Sequence, residues 1–390
     1  MARGMTLRRI VVGLAVAALG GAVVLWALTT RIVWFERHLL FNYCVVSPEM
    51  AGLAARLRWA AGIAGAIVML VVAPLLAWWV GRRTPAQIAA RMLSVLLAIA
   101  AAAGVAELML RHRAAREVPP PFLRELPTLL RGHARYGWTW APYSRREATV
   151  DGRKIEYAID AQGRRARDPW VVPDPDRPTV IVNGESIGFG HGLPYDETLA
   201  ALLERDLGVQ VVNLSVHGYG TAQEYVRLLD ELPKFSHVVA VVTLVLPEQI
   251  SRDALVLEPH LVMGDDGTLE LAPSRSGRRI ARLWRGEPLR GDGPLELTRA
   301  VLRAQAAAVT ARGAQQLFLF TNMGGPCQSD DGLAIPWVLD QLLDGQHLPY
   351  VRVDIDPSES VSAVDPHPGA GAVRRMADAV ERALRTTTGG

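Results

Sequence analysis

Nineteen consecutive residues without a charge, IVVGLAVAALGGAVVLWAL at 10–28, constrain this chain more than any other feature. A hydrocarbon core offers no water to backbone N–H and C=O groups, so a segment that crosses it must be helical. The run matches the ~20 residues such a helix needs. A second uncharged run, WAAGIAGAIVMLVVAPLLAWWV at 59–80, makes the same demand. A third, MLSVLLAIAAAAGVAELML at 92–110, is alanine-rich and carries Glu107 near its end. Glu107 is most simply the partner of a nearby arginine, although ionisable groups at membrane depth are functional candidates by default. The sequence therefore predicts a membrane region over 1–117 with about three spans.

A cleaved signal peptide would also begin with basic residues, here Arg3, Arg8 and Arg9. The first apolar run is long for one, and further spans follow it, which favours a retained anchor. Trp26, Trp59, Trp78 and Trp79 lie near the span ends, as interfacial belts do. The basic N-terminus and the loop GRRTPAQIAAR, with Arg82, Arg83 and Arg91, belong in the cytoplasm by the positive-inside rule. Three spans then put everything after residue 111 outside the cell, although Arg111, Arg113 and Arg116 argue mildly the other way. Residues 31–46, RIVWFERHLLFNYCVV, are apolar but interrupted by charges, which suits an amphipathic segment lying at the interface. If that segment spans, the orientation flips.

Nucleic acid is not an expected partner. The net charge is +3, and the arginines are scattered rather than gathered into a basic stripe interleaved with aromatics. The two cysteines, Cys44 and Cys327, lie far apart and offer neither a disulfide framework nor metal-ligand spacing. Nothing in the chain implies a metal or an organic cofactor.

Beyond the membrane region, VPPPF at 118–122 reads as a stiff exit, and residues 118–178 as a linker with short lead-in strands. Turn signals at Asp151-Gly152 and Gln162-Gly163 flank the alternating stretch KIEYAID. From residue 179 a regular rhythm sets in. Strands are expected at 179–183, 209–214, 237–245, 316–320 and 350–355. Helices are expected at 196–208, 221–232, 294–312, about 334–343 and 369–386. Residues 250–292 interrupt the rhythm and hold a hairpin around MGDDGT at 263–268. Strands alternating with helices mean an α/β fold with a doubly wound parallel sheet. Ligands of such sheets bind at the carboxyl ends of the strands.

One serine, Ser186, stands just past the first of those strands, in TVIVNGESIGFGHG. The glycines around it resemble a phosphate loop, but the third is misplaced for G-x-G-x-x-G, and the second strand ends in Asn213-Leu214-Ser215 without the acid that holds a ribose. No Gly-Lys-Ser/Thr follows, which excludes a Walker loop. Gly184-Glu-Ser186-Ile-Gly188 satisfies the G-x-S-x-G nucleophile elbow, yet in α/β-hydrolases that elbow follows several strands, not the first. A nucleophilic serine needs a histidine base and a group to orient it. Among nine histidines, His367 lies between the last strand and the last helix, where the carboxyl-end loops converge, and Asp365 stands two positions before it. The bland alternatives are a helix-capping serine and an ordinary His-Pro loop. His191 and His217 flank the same glycine loops and read as local hydrogen-bonding groups lining the cleft; Tyr219 reads as packing.

Residues 179–390 resemble the SGNH/GDSL hydrolase family. Its first block appears as IVNGESIGFG, its second as VVNLSVHGYGTAQ, and its last as DPHPGAG before the terminal helix. The preceding GWTWAP and YAIDAQGRR resemble lead-in strands of bacterial, envelope-facing members. The resemblance implies a three-layer, flavodoxin-like fold, with Ser186 as nucleophile, His367 as base and Asp365 as its orienter. It also implies that the backbone N–H groups of Ser186 and Gly218 form part of the oxyanion hole, where preorganised donors contribute most.

Three departures qualify it. Glu185 replaces the Asp of G-D-S. Asp365 stands two residues before the histidine rather than three, which leaves Asp354 and Asp356 as fallback orienters. The third block should supply an asparagine after the third strand, whereas the chain reads VTLVLPEQISRD. Losing such a donor typically costs ~100–1000-fold in rate; Gln249, with the same amide N–H, is the candidate substitute. The expected function is thus a membrane-anchored serine esterase or acyltransferase on the outer face of a bacterial plasma membrane. Its substrate would be an acylated glycan or lipid of the envelope, with envelope-assembly proteins as possible partners. A catalytically weak relative that binds glycan or scaffolds an assembly is the alternative.

Overall fold

The computed structural model describes residues 2–31, 34, 48–84, 129–150, 152–254, 260–264, 268–272, 293–321, 334–363 and 365–388, with isolated residues between 86 and 105. They fall into two compact units, one built from the N-terminal helices and one from the chain beyond residue 118.

In the first unit a helix runs over Ala2–Thr29, and a second runs from Pro48 to Ile67, through a wide turn at Val68–Val72, and on over Ala73–Val80. Leu7–Thr29 and Gly52–Val80 are long and apolar enough to cross a membrane by length and composition. At the wide turn the Ala73 N–H reaches back five residues to the Val68 carbonyl, immediately before Pro74, which has no N–H to give. The two helices pack antiparallel on small residues. A Cβ added to Gly20 would meet the Gly65 carbonyl oxygen at 2.7 Å, and one added to Gly65 would meet that of Gly20 at 2.8 Å. Only glycine permits that approach, and small residues are what membrane helices use to pack closely. Arg9 Nη2 donates to the Gly81 carbonyl at 3.1 Å, so the start of one helix and the end of the other share a side. The expected third span, 92–110, and the interfacial stretch 31–46 lie mostly outside the described residues.

Among the described residues the second unit carries twelve strands: β1 (Leu130–His133), β2 (Gly137–Trp140), β3 (Ser144–Val150), β4 (Arg153–Ile159), β5 (Arg165–Ala166), β6 (Thr179–Asn183), β7 (Gln210–Asn213), β8 (Val238–Val245), β9 (His260–Met263), β10 (Leu269–Ala272), β11 (Gln315–Thr321) and β12 (Tyr350–Val353). β1 and β2 form one antiparallel pair, and β9 and β10 another, the latter at the hairpin expected around MGDDGT. The other eight form one sheet in the order β12-β11-β8-β6-β7-β5-β4-β3. From β12 to β7 neighbours run parallel. Among these five the chain order is 2-1-3-4-5, with its switch point between the first and third, β6 and β8.

Alternate residues of the parallel strands face opposite layers, as the period of two dictates. Val180, Val182, Val242 and Leu244 pack with the helices Leu199–Leu207 and Ala370–Thr388. Ile181, Val212 and Val241 pack with Thr221–Glu231 and Gly293–Thr310 on the other face. The result is the expected three-layer α/β arrangement.

Two features depart from the sequence reading. The sheet is mixed rather than wholly parallel: β3, β4 and β5 run back and forth, and β5 joins the parallel part through Arg165 opposite Asn213. β4 begins at Arg153, only three positions after β3 ends at Val150, and a strand that follows so closely can only return antiparallel. The lead-in is therefore part of the main sheet and not merely a linker. A helix at Pro247–Ala254 also begins directly after β8.

Candidate active site

At the end of β6 the chain turns through Gly184 and Glu185 into one helical turn, Ser186–Phe189. Glu185 caps that turn, its Oε1 accepting the Ile187 N–H at 2.8 Å. The glycine at 188 has a steric cause, since a Cβ there would lie 2.4 Å from Ser215 Oγ and 3.1 Å from Leu244 Cδ1. Gly190, at φ +83°, ends the turn in the left-handed region open to glycine. The Ser186 carbonyl then accepts the N–H groups of Gly190 at 3.1 Å and His191 at 3.0 Å. One wrap of backbone thus sets Ser186 at the tip of β6 and His191 beside it.

The segment after β7 is stitched to this turn. Leu214 and Val216 donate to the carbonyls of Val182 and Gly184 at 2.8 and 3.0 Å. Asn213 gives its side-chain amide to the Gly188 carbonyl at 2.8 Å and accepts the Ser215 N–H at 3.0 Å. The lead-in strand GWTW braces the same loop from outside. Trp140 and Trp138 donate their indole N–H groups to the carbonyls of Ser215 and His217, each at 3.0 Å, and the Tyr219 hydroxyl donates to the Trp138 carbonyl. Neither the Ser186 nor the Gly218 N–H is accepted by a described residue.

His367 arrives from the loop between β12 and the last helix. Its Nε2 lies 2.7 Å from Ser186 Oγ, and its Nδ1 lies 2.6 Å from Asp365 Oδ1. The two-residue spacing has a local reason. Asp365 Oδ1 also accepts the His367 backbone N–H at 3.0 Å, an Asx-turn that binds ring and backbone with one oxygen. The alternative orienters are engaged elsewhere: Asp354 pairs with Arg352, and Asp356 accepts the Ser358 N–H. The structure therefore brings Ser186, His367 and Asp365 together in hydrogen-bonding order across 181 residues.

Several neighbours were not legible in these roles. His191 Nε2 lies 3.1 Å from the second carboxylate oxygen of Asp365, and His191 Nδ1 lies 2.8 Å from His217 Nε2. Burial works against ionising Asp365, but the hydrogen bonds from His191 and His367 outweigh it and hold the carboxyl well below the usual carboxylate range. Burial, followed by the charges of the surrounding His191, His367, Arg165 and Arg252, pushes His217 well below its ordinary value, so its ring is neutral. Glu185 is fully buried and its Oε2 accepts from the Ser186 hydroxyl. Burial opposes its charge, but Arg252, 3.5 Å away, and then His367 keep it below its ordinary value. The serine's single proton thus faces two acceptors, Glu185 and His367. Arg252 sits on the helix after β8, and no motif flagged it.

Gln249 stands on the same helix. Its Nε2 donates to Glu224 Oε1 at 2.5 Å, and its Oε1 accepts the Leu246 N–H at 2.9 Å. The amide expected to replace the missing asparagine thereby gives one of its two N–H groups to a partner inside the core. Burial and the nearby carboxylates of Glu185 and Asp253 raise Glu224 well above its ordinary value, so a neutral carboxyl meets that amide. His191, Asp365 and His367 each bring a donor atom within 4.8 Å of the others, a spacing open to a metal ion. Those atoms already serve one another: both Asp365 oxygens hold an imidazole, and His367 Nε2 faces Ser186.

No protein-family model and no curated protein matches this chain. Solved structures do. The structure of TesA is similar at 21% identity and a TM-score of 0.35, covering 53% of this chain and 98% of its own. A protein assigned to the G-D-S-L lipolytic family from Desulfitobacterium hafniense is similar at 13% identity and a TM-score of 0.34, with the same coverage. An acetyl xylan esterase from the rumen bacterium Butyrivibrio proteoclasticus follows at 15% identity and a TM-score of 0.32, covering 56% of this chain and 66% of its own. Among the similar solved structures are the G-D-S-L family protein and one from Slackia heliotrinireducens described as an SGNH hydrolase, the group whose sequence blocks this chain resembles.

Proposed function

We propose that this chain is a membrane-anchored serine esterase or acyltransferase that works through an acyl-enzyme on Ser186. The observation that carries the reading is the order Ser186–His367–Asp365, joined by contacts of 2.7 and 2.6 Å. Ser186 Oγ attacks an ester carbonyl while its proton passes to His367 Nε2. Asp365, ionised and fixed, stabilises the imidazolium without taking the proton. The developing oxyanion faces the unspent N–H groups of Ser186 and Gly218. Collapse expels the alcohol, which takes the proton from His367 and leaves the acyl group on the serine. Water or a sugar hydroxyl then gives its proton to His367, attacks the acyl carbon and releases Ser186. The apolar N-terminal helices and the envelope-like lead-in support an acylated cell-surface glycan or lipid as substrate.

The test is a fluorophosphonate probe, applied to the full chain in detergent beside an ester-turnover assay. The expected result is labelling of the wild type that Ser186→Ala abolishes, with turnover lost in parallel. An unlabelled wild type, or unchanged turnover in Ser186→Ala, rules the serine mechanism out. One observation favours a second reading, a slow relative kept for glycan binding: an N–H of the Gln249 amide, the candidate third oxyanion donor, is given to Glu224. That reading expects labelling with turnover lower by the ~100–1000-fold that one lost donor costs.

A further inference from the structure

The carboxylate of Asp365 serves two imidazoles, one on each oxygen. Oδ1 meets His367 Nδ1 at 2.6 Å and Oδ2 meets His191 Nε2 at 3.1 Å. The Ser–His–acid arrangement needs only the first of these contacts. Behind His191 stands His217, and the direction of the whole chain follows from that ring. His217 Nδ1 is buried without a hydrogen-bond partner among the described residues. A buried N–H without an acceptor is among the rarest defects in folded proteins, so the proton of His217 belongs on Nε2, where His191 Nδ1 accepts it at 2.8 Å. With its Nδ1 accepting, His191 carries its own proton on Nε2, aimed at Asp365. A neutral His217, buried on every side, has no second arrangement to offer. His191 is fixed from its backbone too, by the N–H it gives to the Ser186 carbonyl at 3.0 Å.

We propose that His191 is a positioning residue for the hydrolytic site: locked in one tautomer by His217, it anchors the free oxygen of Asp365 and shares that carboxylate's charge with His367. The inference rests on the serine-esterase reading. It has a consequence that simple packing would not have. A carboxylate that also accepts from His191 stabilises a protonated His367 less than one devoted to His367 alone. The ionisable groups facing this chain are Asp365 and His367 from the loop before the last helix, His217 after β7, Glu185 after β6, Arg165 on β5 and Arg252 after β8.

The experiment measures kcat/KM for a p-nitrophenyl ester between pH 4 and 9, with the full chain in detergent. It compares wild type, His191→Ala, His191→Gln and Ser186→Ala, and the fluorophosphonate labelling rate reads the same profile independently. His191→Ala is expected to lose about 10- to 100-fold, the scale of a misplaced base, and its acid limb is expected to move to higher pH. His191→Gln places an amide N–H where the ring Nε2 stood, so it should return the limb to its wild-type position and recover most of the rate. A rate loss with the limb unmoved and no recovery in His191→Gln would mean packing alone and overturn the proposal. So would a His191→Ala enzyme within twofold of wild type across the range, even though Ser186→Ala is dead. Activity surviving in Ser186→Ala is the distinct failure of the parent reading, and this inference falls with it.

Discussion

Gly188 ties the chemistry of the site to its packing within one residue. The Ser186 turn lies so close to the loop after β7 that a single added methyl would stand 2.4 Å from Ser215 Oγ. Ser215 is itself fully buried, with its N–H held by Asn213, so it has little room to yield. Overpacking of this kind costs about 1–3 kcal/mol. Gly188→Ala is accordingly expected to lower the melting temperature by several degrees and, because the turn that carries Ser186 must shift, to slow fluorophosphonate labelling at least tenfold. A variant that melts and labels like wild type would show that the turn is not tightly seated. At this scale the sequence already spoke clearly for Ser186, His367 and Asp365, because each sits in a short motif at the mouth of an expected strand. It could not speak for Arg252, or for the hold of His191 on Asp365, because those contacts exist only once loops from opposite ends of the chain meet. Gln249 shows the converse: its chemistry suited the oxyanion hole, but one of its N–H groups goes to Glu224, a contact that sequence cannot convey.

Among the elements, the helix Pro247–Ala254 holds more buried acid than its length suggests. Asp253 accepts from the hydroxyls of Thr221 at 2.5 Å and Thr298 at 2.8 Å and from the Ala222 N–H at 3.2 Å, tying together three helices. Burial nevertheless pushes its carboxyl up from 3.8 to about 6. Burial raises Glu248, on the same helix, from 4.5 to about 7. A carboxyl raised by folding binds its proton more tightly in the native state than in the unfolded chain. The stability it contributes is complete below about pH 4 and is lost as the pH climbs through 6 and 7. For Asp253 alone the difference is on the order of 3 kcal/mol. Thermal melts of the full chain in detergent should therefore show a melting temperature that falls between pH 5 and pH 8. Asp253→Asn, which keeps the oxygen for Ala222 and leaves the threonine hydroxyls free to turn, should flatten that fall. Identical pH slopes for the two proteins would refute the assignment. This helix was invisible in the sequence because Pro247 follows the strand directly and only eight residues separate it from the end of the element. The longer elements were legible from their periodicity, and the strands of the parallel core lie within a residue or two of where it put them. What periodicity could not convey is partnership: KIEYAID reads as a strand, but nothing in it says that its neighbours would extend the main sheet through Arg165 and Asn213.

For the molecule as a whole, the number of times its apolar helices cross a membrane would decide what the site can act on. The helices Leu7–Thr29 and Gly52–Val80 form an antiparallel pair, and the Arg9–Gly81 hydrogen bond gathers Arg3, Arg8 and Arg9 at the same end as Arg82 and Arg83. If the pair spans a membrane, the positive-inside rule would place the end that carries five arginines in the cytoplasm. A chain that stops crossing there keeps Ser186 in the cytoplasm, whereas one further crossing by residues 92–110 carries it outside. We predict the crossing. In a bacterial host, alkaline phosphatase, which needs the disulfide-forming side of the membrane, should be active when fused after residue 117 and inactive when fused after residue 84. A green fluorescent protein at the same two sites should report the reverse. Deleting residues 92–110 should exchange the two outcomes at the later junction and leave the earlier one unchanged. If the phosphatase fused after residue 117 stays silent while the fluorescent fusion there glows, the hydrolase-like unit faces the cytosol. Its acyl substrate must then be sought among cytoplasmic esters, and the envelope assignment falls while the chemistry proposed for Ser186 is untouched.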